Sequence, residues 1–313
     1  MAVYKAQNLG CLPNRSRPEV LAAVEAMAAP WDVTDQPQIC TWESFRPFLE
    51  EVAQLRKTKP VPMWWELAAK MGLNPENLLI PTQGNIGSCA GVSYFDRCYL
   101  ITLIKQMARH SEQAIEPVNA LATWLVSKNW SRWGGQTISA VIQEGCETGV
   151  FPASLVGEYS SGWSDRKAVQ NHTSDAALRQ MGACIVPDEV NKADAIDLAL
   201  RAGYVVEIGN SQAVTDSTTK DENGVPLVQC AGSWSHATVF SDYMERNGKS
   251  YYRWENSHGL IYDQRGFGSP RFGAFMTRET LEEFCYCSFC DVAITTYVES
   301  PYDATITPTL EVL

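Results

Sequence analysis

Apolar residues follow a helical period up to about residue 200 and a strand-like pattern after it. The longest helical pattern covers residues 92–109, where apolar side chains recur three or four positions apart, at Val92, Phe95, Tyr99, Leu103 and Met107. The same spacing predicts shorter helices over residues 17–27, 41–55, 63–71, 117–129 and 189–200. Aromatic and β-branched runs predict strands over residues 205–208, 237–241, 250–255 and 293–297. A helical half followed by a β half predicts an α+β fold.

A cysteine stands just before the longest helical pattern. The segment Thr82-Gln83-Gly84-Asn85-Ile86-Gly87-Ser88-Cys89 leads into it through a turn of small residues. The thiolate is the nucleophilic form of cysteine, and the positive end of a helix lowers a cysteine pKa. Gly87 and Ser88 keep the approach narrow, so that a substrate backbone could come close to the sulfur. Cys89 is therefore a candidate nucleophile, and Ser88 is a candidate substrate-binding residue.

The pattern Gln83-x-x-x-Gly87-Ser88-Cys89 resembles the active-site segment of papain-like cysteine peptidases. In that family a glutamine six residues before the cysteine donates to the oxyanion hole beside the cysteine N–H, which implies this role for Gln83. The family also places a histidine roughly 130 to 150 residues after the cysteine. Ser235-His236-Ala237 puts a histidine 147 residues after Cys89, and Glu255-Asn256-Ser257-His258-Gly259 resembles the family's Asn-Ser-Trp-Gly.

The resemblance implies a Cys-His-Asn mechanism on a two-lobed fold. Cys89 would attack a carbonyl as the thiolate, and His236 would stabilise the thiolate and protonate the leaving amine. Asn256 would orient the imidazole so that its other nitrogen faces the sulfur. The helical lobe of such a fold carries the cysteine, and the antiparallel β lobe carries the histidine and the asparagine. Gly134 and Gly135 would form the edge that hydrogen-bonds an extended substrate, although such a pair is also typical of a loop.

The resemblance begins near residue 81 and leaves the N-terminal residues unassigned. The expected organisation is an N-terminal helical extension over residues 1–80 and a papain-like catalytic domain over residues 81–313. The helical lobe would cover about 81–200 and the β lobe about 201–313. The extension is expected to pack on the catalytic domain or to serve in a protein assembly, and an inhibitory pro-segment is the alternative.

Composition and charge limit the partners. A chain of 313 residues with 45% apolar content can bury a sizeable core. The formal net charge of −11 argues against nucleic acid or an anionic membrane, so a peptide or protein substrate is the expected partner. The sequence has no signal-peptide core at its first residues and no apolar run of about 18 residues. The expected location is the cytoplasm or a virus particle.

The ten cysteines are expected to be thiols, because no secretory signal accompanies them. Secreted papain-like enzymes pair a cysteine three residues before the nucleophile with one just before a Gly-Gly pair. Ile86 and Trp133 occupy those two positions in this chain, so the family disulfide is not expected. Three cysteines in apolar surroundings are expected to be core residues, namely Cys98, Cys146 and Cys184.

A separate cluster contains Cys285, Cys287 and Cys290. Tetrahedral zinc sites need a fourth ligand and are usually built from paired Cys-x-x-Cys segments, and only Cys287 and Cys290 have that spacing. The cluster lies between a helix predicted over residues 280–283 and a strand over 292–297. We therefore expect small buried residues there, and neither a metal nor a cofactor.

Three classes of function fit the sequence. The first is a cysteine peptidase that hydrolyses peptide bonds. The second is a catalytically weak or inactive papain-like protein with a structural or binding role, for example in a virus particle; His258 replaces the tryptophan that shields the His–Asn contact in the family. The third is a different Cys-His enzyme, such as a cell-wall amidase or an acyl-transferring enzyme. Gln83 and Asn256 disfavour the third class, because both fit the papain pattern.

Overall fold

The computed structural model describes residues 11–29, 39–57, 62–78, 81–84, 86–107, 115–132, 134–160, 162–257 and 273–299. Its α-helices are α1 (Pro18–Met27), α2 (Trp42–Arg56), α3 (Trp64–Lys70), α4 (Cys89–Gly91), α5 (Tyr99–Met107), α6 (Ala120–Ser127), α7 (Ile138–Glu147), α8 (Ala153–Val156), α9 (Arg166–Asn171), α10 (Thr173–Ala176), α11 (Lys192–Arg201) and α12 (Arg278–Cys285). Its strands are β1 (Cys11–Leu12), β2 (Ile39–Cys40), β3 (Gln136–Thr137), β4 (Met181–Ile185), β5 (Val205–Val214), β6 (Thr219–Lys220), β7 (Pro226–Leu227), β8 (Cys230–Arg246), β9 (Lys249–Glu255), β10 (Gly273–Thr277) and β11 (Cys290–Val298).

The main sheet has the strand order β2-β4-β11-β5-β8-β9-β10-β7-β6. Neighbouring strands are antiparallel, except that β2 is parallel to β4 and β10 is parallel to β7. Helices combined with this large mixed sheet make an α+β fold, as the sequence predicts. Two of the strands, β2 and β4, come from before residue 200, so the sheet extends beyond the predicted β lobe.

Alternation along β5 places one hydrophobic core on each face of the sheet. Val206 and Ile208 belong to the core that α2, α11 and α12 cover. Val205, on the opposite face, belongs to the core that contains Cys89 and the helical residues after it. Because strand side chains alternate between faces, Glu207 points to the same side as Val205. That side holds the candidate site.

The chain is helical from Cys89 to Met107, since a π-helix (Val92–Cys98) joins α4 to α5. The predicted start at the cysteine is confirmed, and the five residues of the predicted apolar stripe are all buried. The π-helix was not predicted, because apolar residues three and four positions apart indicate an ordinary α-helix and do not reveal the wider turn of a π-helix. Such turns occur frequently at functional sites. Gly91 permits close approach of α6, since a Cβ there would meet Trp124 Cβ at 2.6 Å.

The described part of the predicted N-terminal extension is packed into both cores. Trp64, Trp65 and Ala68 of α3 share the core that contains Cys89. Trp42 and Phe45 of α2 share the opposite core with α11. Among the described residues, none of the helices combines the length and the apolar character that a membrane crossing needs.

Candidate active site

The candidate histidine and asparagine meet at the end of a strand pair. Pairing of Val239 with Glu255 brings the end of β9 beside the part of β8 that carries His236. His236 Nε2 lies 2.7 Å from Asn256 Oδ1, and both residues are buried. Because a carbonyl oxygen only accepts, Nε2 carries the proton. The ring of Trp234 packs edge-on against His236, with centroids 4.9 Å apart.

The candidate nucleophile lies against the peptide that follows the histidine. The backbone N–H of Ala237 is hydrogen-bonded to the sulfur of Cys89. One turn further along the helical run, Ser93 Oγ donates to the carbonyl oxygen of Ala237 at 3.1 Å. The helical run that carries Cys89 is thus tied to the strand that carries His236 at both the N–H and the C=O of Ala237.

The Cys89 thiol is closed off from solvent, with an exposed fraction of 0%. Burial raises the pKa of Cys89 to about 12, and the Glu207 carboxylate adds to this shift. The N–H groups of Ala237, Ala90 and Cys89 itself act in the opposite direction. The direction differs from the lowering expected at a helix N-terminus, because the loss of solvent outweighs these N–H groups. In this arrangement Cys89 is a neutral thiol at physiological pH.

The candidate oxyanion residue is fixed to the neighbour of Asn256. Gln83 N donates to Ser257 O at 3.1 Å, and Ser257 Oγ donates to Gln83 Oε1 at 2.7 Å. Gln83 Nε2 donates to Ile86 O at 3.0 Å. The side-chain amide carries two hydrogens, so an oxyanion would be a further acceptor for the same group. Gln83 is therefore held close to Asn256, because its partner Ser257 is the next residue in the chain.

A segment of the chain itself lies between β3 and the residue before His236, in a space that we call the cleft. β1 pairs in parallel with β3, with Cys11 opposite Gln136 and Leu12 opposite Thr137. On the other side, the hydroxyl of Ser235 donates to the carbonyl oxygen of Cys11. Cys11 is 0% exposed. Residues 11–12 thus bridge the strand that follows the Gly134-Gly135 pair and the residue before His236.

The predicted substrate-binding residues lie around the same cleft. Gly134 has a φ of +71°, and Lys128 Nζ donates to the carbonyl oxygens of Gly134 and Gly135 at 2.6 and 3.1 Å. The extended segment β1 pairs with β3, which directly follows Gly135, and not with the two glycines themselves. Ser88 is buried and precedes α4, and its carbonyl oxygen accepts from Val92 N at 2.9 Å. Substrate binding by these three residues stays a prediction.

Glu207 lies on the same side of the sheet as Cys89, although the sequence motifs do not indicate it. Its side chain is fully buried, and neither carboxyl oxygen has a hydrogen-bond partner among the described residues. Burial raises its pKa well above the usual range. A signal was present, because Tyr204-Val205-Val206-Glu207-Ile208 places one acidic residue inside an otherwise apolar strand run. A carboxyl group at such a position is expected to be buried, although its burial is energetically unfavourable.

All ten cysteines lie in described parts of the chain, and none forms a disulfide. The prediction that Cys98, Cys146 and Cys184 are core residues is confirmed, since each is 0% exposed. Cys285 ends α12 and Cys290 begins β11, as predicted for a helix-to-strand junction. The expectation that Cys285, Cys287 and Cys290 are buried was wrong, because this junction lies at the surface and all three are only partly buried. Within the described ranges, no group of three or more His, Cys, Asp or Glu side chains is arranged to hold a metal ion. His258 and Trp133 lie outside the described residues.

The hydrogen bond between His236 and Asn256 predicts a histidine tautomer. The chain has four histidines, so ¹⁵N-histidine NMR can resolve His236, assigned through His236→Gln. We expect the neutral Nε2–H form. Asn256→Ala should lower the ratio of that form to the Nδ1–H form by up to about tenfold, since a hydrogen bond contributes about 0.5–1.5 kcal/mol. Ser257→Ala keeps the acceptor and serves as the control. A predominant Nδ1–H form in the unsubstituted protein would contradict the geometry.

No protein-family model and no curated protein sequence matches the chain. Among solved structures, a digestive procathepsin L 3 from the larval midgut of Tenebrio molitor is similar with a TM-score of 0.48 and 13% identity, over 90% of each chain. A procathepsin B from Trypanosoma congolense gives a TM-score of 0.44 and 13% identity, over 73% of this chain and 75% of that one. A structure concerning the mite allergens Blo t 1 and Der p 1 gives a TM-score of 0.42 and 13% identity, over 90% and 92%.

These similar structures are papain-like proteins. Identity of 13% and TM-scores below 0.5 assign neither an activity nor a substrate.

Proposed function

We propose that the protein is a papain-like cysteine peptidase, with Cys89 as nucleophile, His236 as acid–base residue and Asn256 as the residue that orients the imidazole. One arrangement carries this proposal. The 2.7 Å contact between His236 Nε2 and Asn256 Oδ1 lies beside the peptide whose N–H bonds the Cys89 sulfur. Because Asn256 engages Nε2, Nδ1 is the ring nitrogen that would exchange a proton with Cys89.

The chemistry follows from these roles. The Cys89 proton moves to His236 Nδ1, and the thiolate then attacks the carbonyl carbon of a peptide bond. The imidazolium returns its proton to the leaving amine, and water hydrolyses the thioester. Gln83 Nε2 and the Cys89 N–H would donate to the oxyanion, at about 3 kcal/mol per donor in comparable sites. Asn256 keeps the ring oriented through both steps. The proposed substrate is therefore a peptide or protein.

Burial of the thiol and occupation of the cleft support a second candidate function. Cys89 is fully buried, and β1 lies in the cleft beside it. We infer that residues 11–12 would have to move before a peptide substrate could reach the sulfur. If this segment stays in place permanently, the protein is a structural or binding protein that retains a peptidase site without using it.

A peptidase assay separates the two candidates. The full chain and a chain that lacks residues 1–17 would be incubated with a diverse peptide mixture, and products would be identified by mass spectrometry. We expect cleavage by the shortened chain and a loss of at least about 1,000-fold in Cys89→Ala, because that change removes the nucleophile itself. Cys98→Ala, on the same helical run, is the matched control. No cleavage by either chain, with Cys89 no more reactive toward iodoacetamide at pH 6 than Cys98 or Cys146, would favour the structural or binding protein.

A further inference from the structure

The residue before Asn256 is a buried carboxylate with partners on several elements. The Glu255 side chain forms an ion pair with Arg97, and both groups are almost completely buried. Its Oε1 atom accepts from Trp64 Nε1 and from Ser241 Oγ, each at 2.9 Å. Arg253 Nε lies 3.8 Å from the same oxygen. Burial opposes ionisation of Glu255, but Arg97 and Arg253 outweigh it and hold its pKa below the usual value.

Arg97 connects this carboxylate to the helical run that carries Cys89. It lies on the π-helix, two turns after the cysteine, and its Nη1 donates to Leu78 O at 2.7 Å. Its guanidinium lies over the ring of Trp64, 4.3 Å from the ring centroid. Arg97 is therefore fixed by Glu255, by Trp64 and by the backbone carbonyl of Leu78. A rotation of the helical run would break all three contacts together.

Trp64 connects the same carboxylate to α3. Its indole N–H bonds Glu255, and its backbone N donates to Asp242 Oδ1 at 3.2 Å. Asp242 forms a second buried ion pair with Lys105, at 3.1 Å. The start of α3 is thus bonded to two buried carboxylates on neighbouring strands. Loss of such a donor leaves a buried acceptor incompletely satisfied, which is costly in a low-dielectric interior.

Three consecutive residues hold three parts of the candidate site. Glu255 binds Arg97 of the helical run that carries Cys89, Asn256 binds His236, and Ser257 binds Gln83. A displacement of Glu255 therefore moves the residue that orients the imidazole relative to that run. Since acid–base transfer depends on distances near 3 Å, small displacements here affect the chemistry more than the fold.

We propose that Arg97, Glu255 and Trp64 are positioning residues that hold the Cys89 helical run in register with Asn256 and His236. The proposal rests on the proposed function for the roles of Cys89 and His236. It also makes α3 a permanent part of the site, although α3 lies within the predicted N-terminal extension. Any proteolytic processing that leaves a working site must then cut before Trp64.

The test compares two neighbouring tryptophans. Trp64→Phe keeps an aromatic ring under Arg97 and removes the donor to Glu255. Trp65→Phe is the matched control, because Trp65 is also buried on α3 and its ring lies near Arg253, 5.3 Å from the guanidinium carbon. Both variants would be studied as full chains by ¹⁵N-histidine NMR and by urea unfolding. We expect Trp64→Phe alone to change the ratio of His236 tautomers, by at least threefold, at a stability loss similar to that of the control.

The NMR readout does not need Cys89 to be a nucleophile, so the two proposals can fail separately. A changed His236 tautomer ratio, with Cys89 unreactive even in the chain that lacks residues 1–17, would overturn the proposed function and support the positioning role. An unchanged ratio in folded Trp64→Phe would overturn the positioning role. In the peptidase assay, Trp64→Phe should lower kcat about tenfold or more with KM within about twofold, because positioning acts on the transition state.

Processing gives an independent measurement. The full chain would be treated with a broad-specificity protease and then with limiting iodoacetamide, and chains alkylated at Cys89 would be isolated. Their N-termini are expected to lie before Trp64 in every case. Alkylated chains that begin after Trp64, with the His236 tautomer ratio of the intact protein, would contradict the proposal. Glu255→Gln adds a second variant, expected to change the ratio in the same direction as Trp64→Phe.

Discussion

Displacement of residues 11–12 from the cleft is expected to increase the alkylation rate of Cys89 about 100-fold or more at pH 7. Cys11→Asp in the full chain achieves this, because it places a carboxylate where the sulfur packs tightly; a Cβ built on Gly209 would meet Cys11 Sγ at 2.5 Å. Burying a charge at such a site costs several kcal/mol, so the arrangement in which residues 11–12 have left the cleft becomes the more stable one. Opening removes the burial that raises the pKa of Cys89 to about 12, and each unit recovered increases the thiolate about tenfold. Iodoacetamide labelling followed by mass spectrometry measures the rate.

Cys11→Ser is the matched control, because serine is similar in size and neutral and should keep the cleft closed. A folded Cys11→Asp protein that still leaves Cys89 unlabelled would show that other residues cover the thiol. The same comparison decides between the two roles considered for the N-terminal extension. Strong labelling in Cys11→Asp alone would favour an inhibitory segment, and equal labelling would favour a structural one.

Glu207→Gln is expected to stabilise the protein increasingly as the pH rises. Below about pH 4 the carboxyl is protonated in both the folded and the unfolded state, so it gives no pH dependence. Above that pH only the unfolded state ionises, because burial keeps the folded pKa well above the usual range. The free energy of unfolding should therefore fall by about 1.4 kcal/mol per pH unit until the folded carboxyl also ionises. The variant lacks this loss, so its stability relative to the wild type should increase with pH until the folded carboxyl of the wild type ionises.

Urea unfolding at four pH values between 5 and 8 measures this difference. Glu245→Gln is the control, since Glu245 is an exposed carboxylate near the end of β8. Parallel stability curves for the wild type and Glu207→Gln would mean that the carboxyl is ionised or solvated in the folded protein. The substitution should also lower the pKa of Cys89, because the Glu207 charge contributes to raising it.

Local sequence predicted many elements correctly. Helix α1 (Pro18–Met27) agrees with the helix predicted over residues 17–27, and proline is favoured at its first position. The helical start at Cys89 and the strands around residues 205–208 and 250–255 were predicted for the same kind of reason. In each case the signal lies within the element itself. The two-residue strands β1 and β2 are too short to show a period, and their partners are distant in sequence.

The sequence by itself determined the α+β class, the order of the cysteine, histidine and asparagine, and the approximate position of most helices and strands. Tertiary structure alone decided that Cys89 is buried, that residues 11–12 lie beside it, that Glu207 faces the same core, and that Trp64 and Arg97 meet at Glu255. The physical reason is that periodicity reports which face of an element is apolar, whereas burial and hydrogen bonding depend on what packs against that face. The pKa of Cys89 is raised because burial by the surrounding elements outweighs the N–H groups of Cys89 and of its neighbour Ala90.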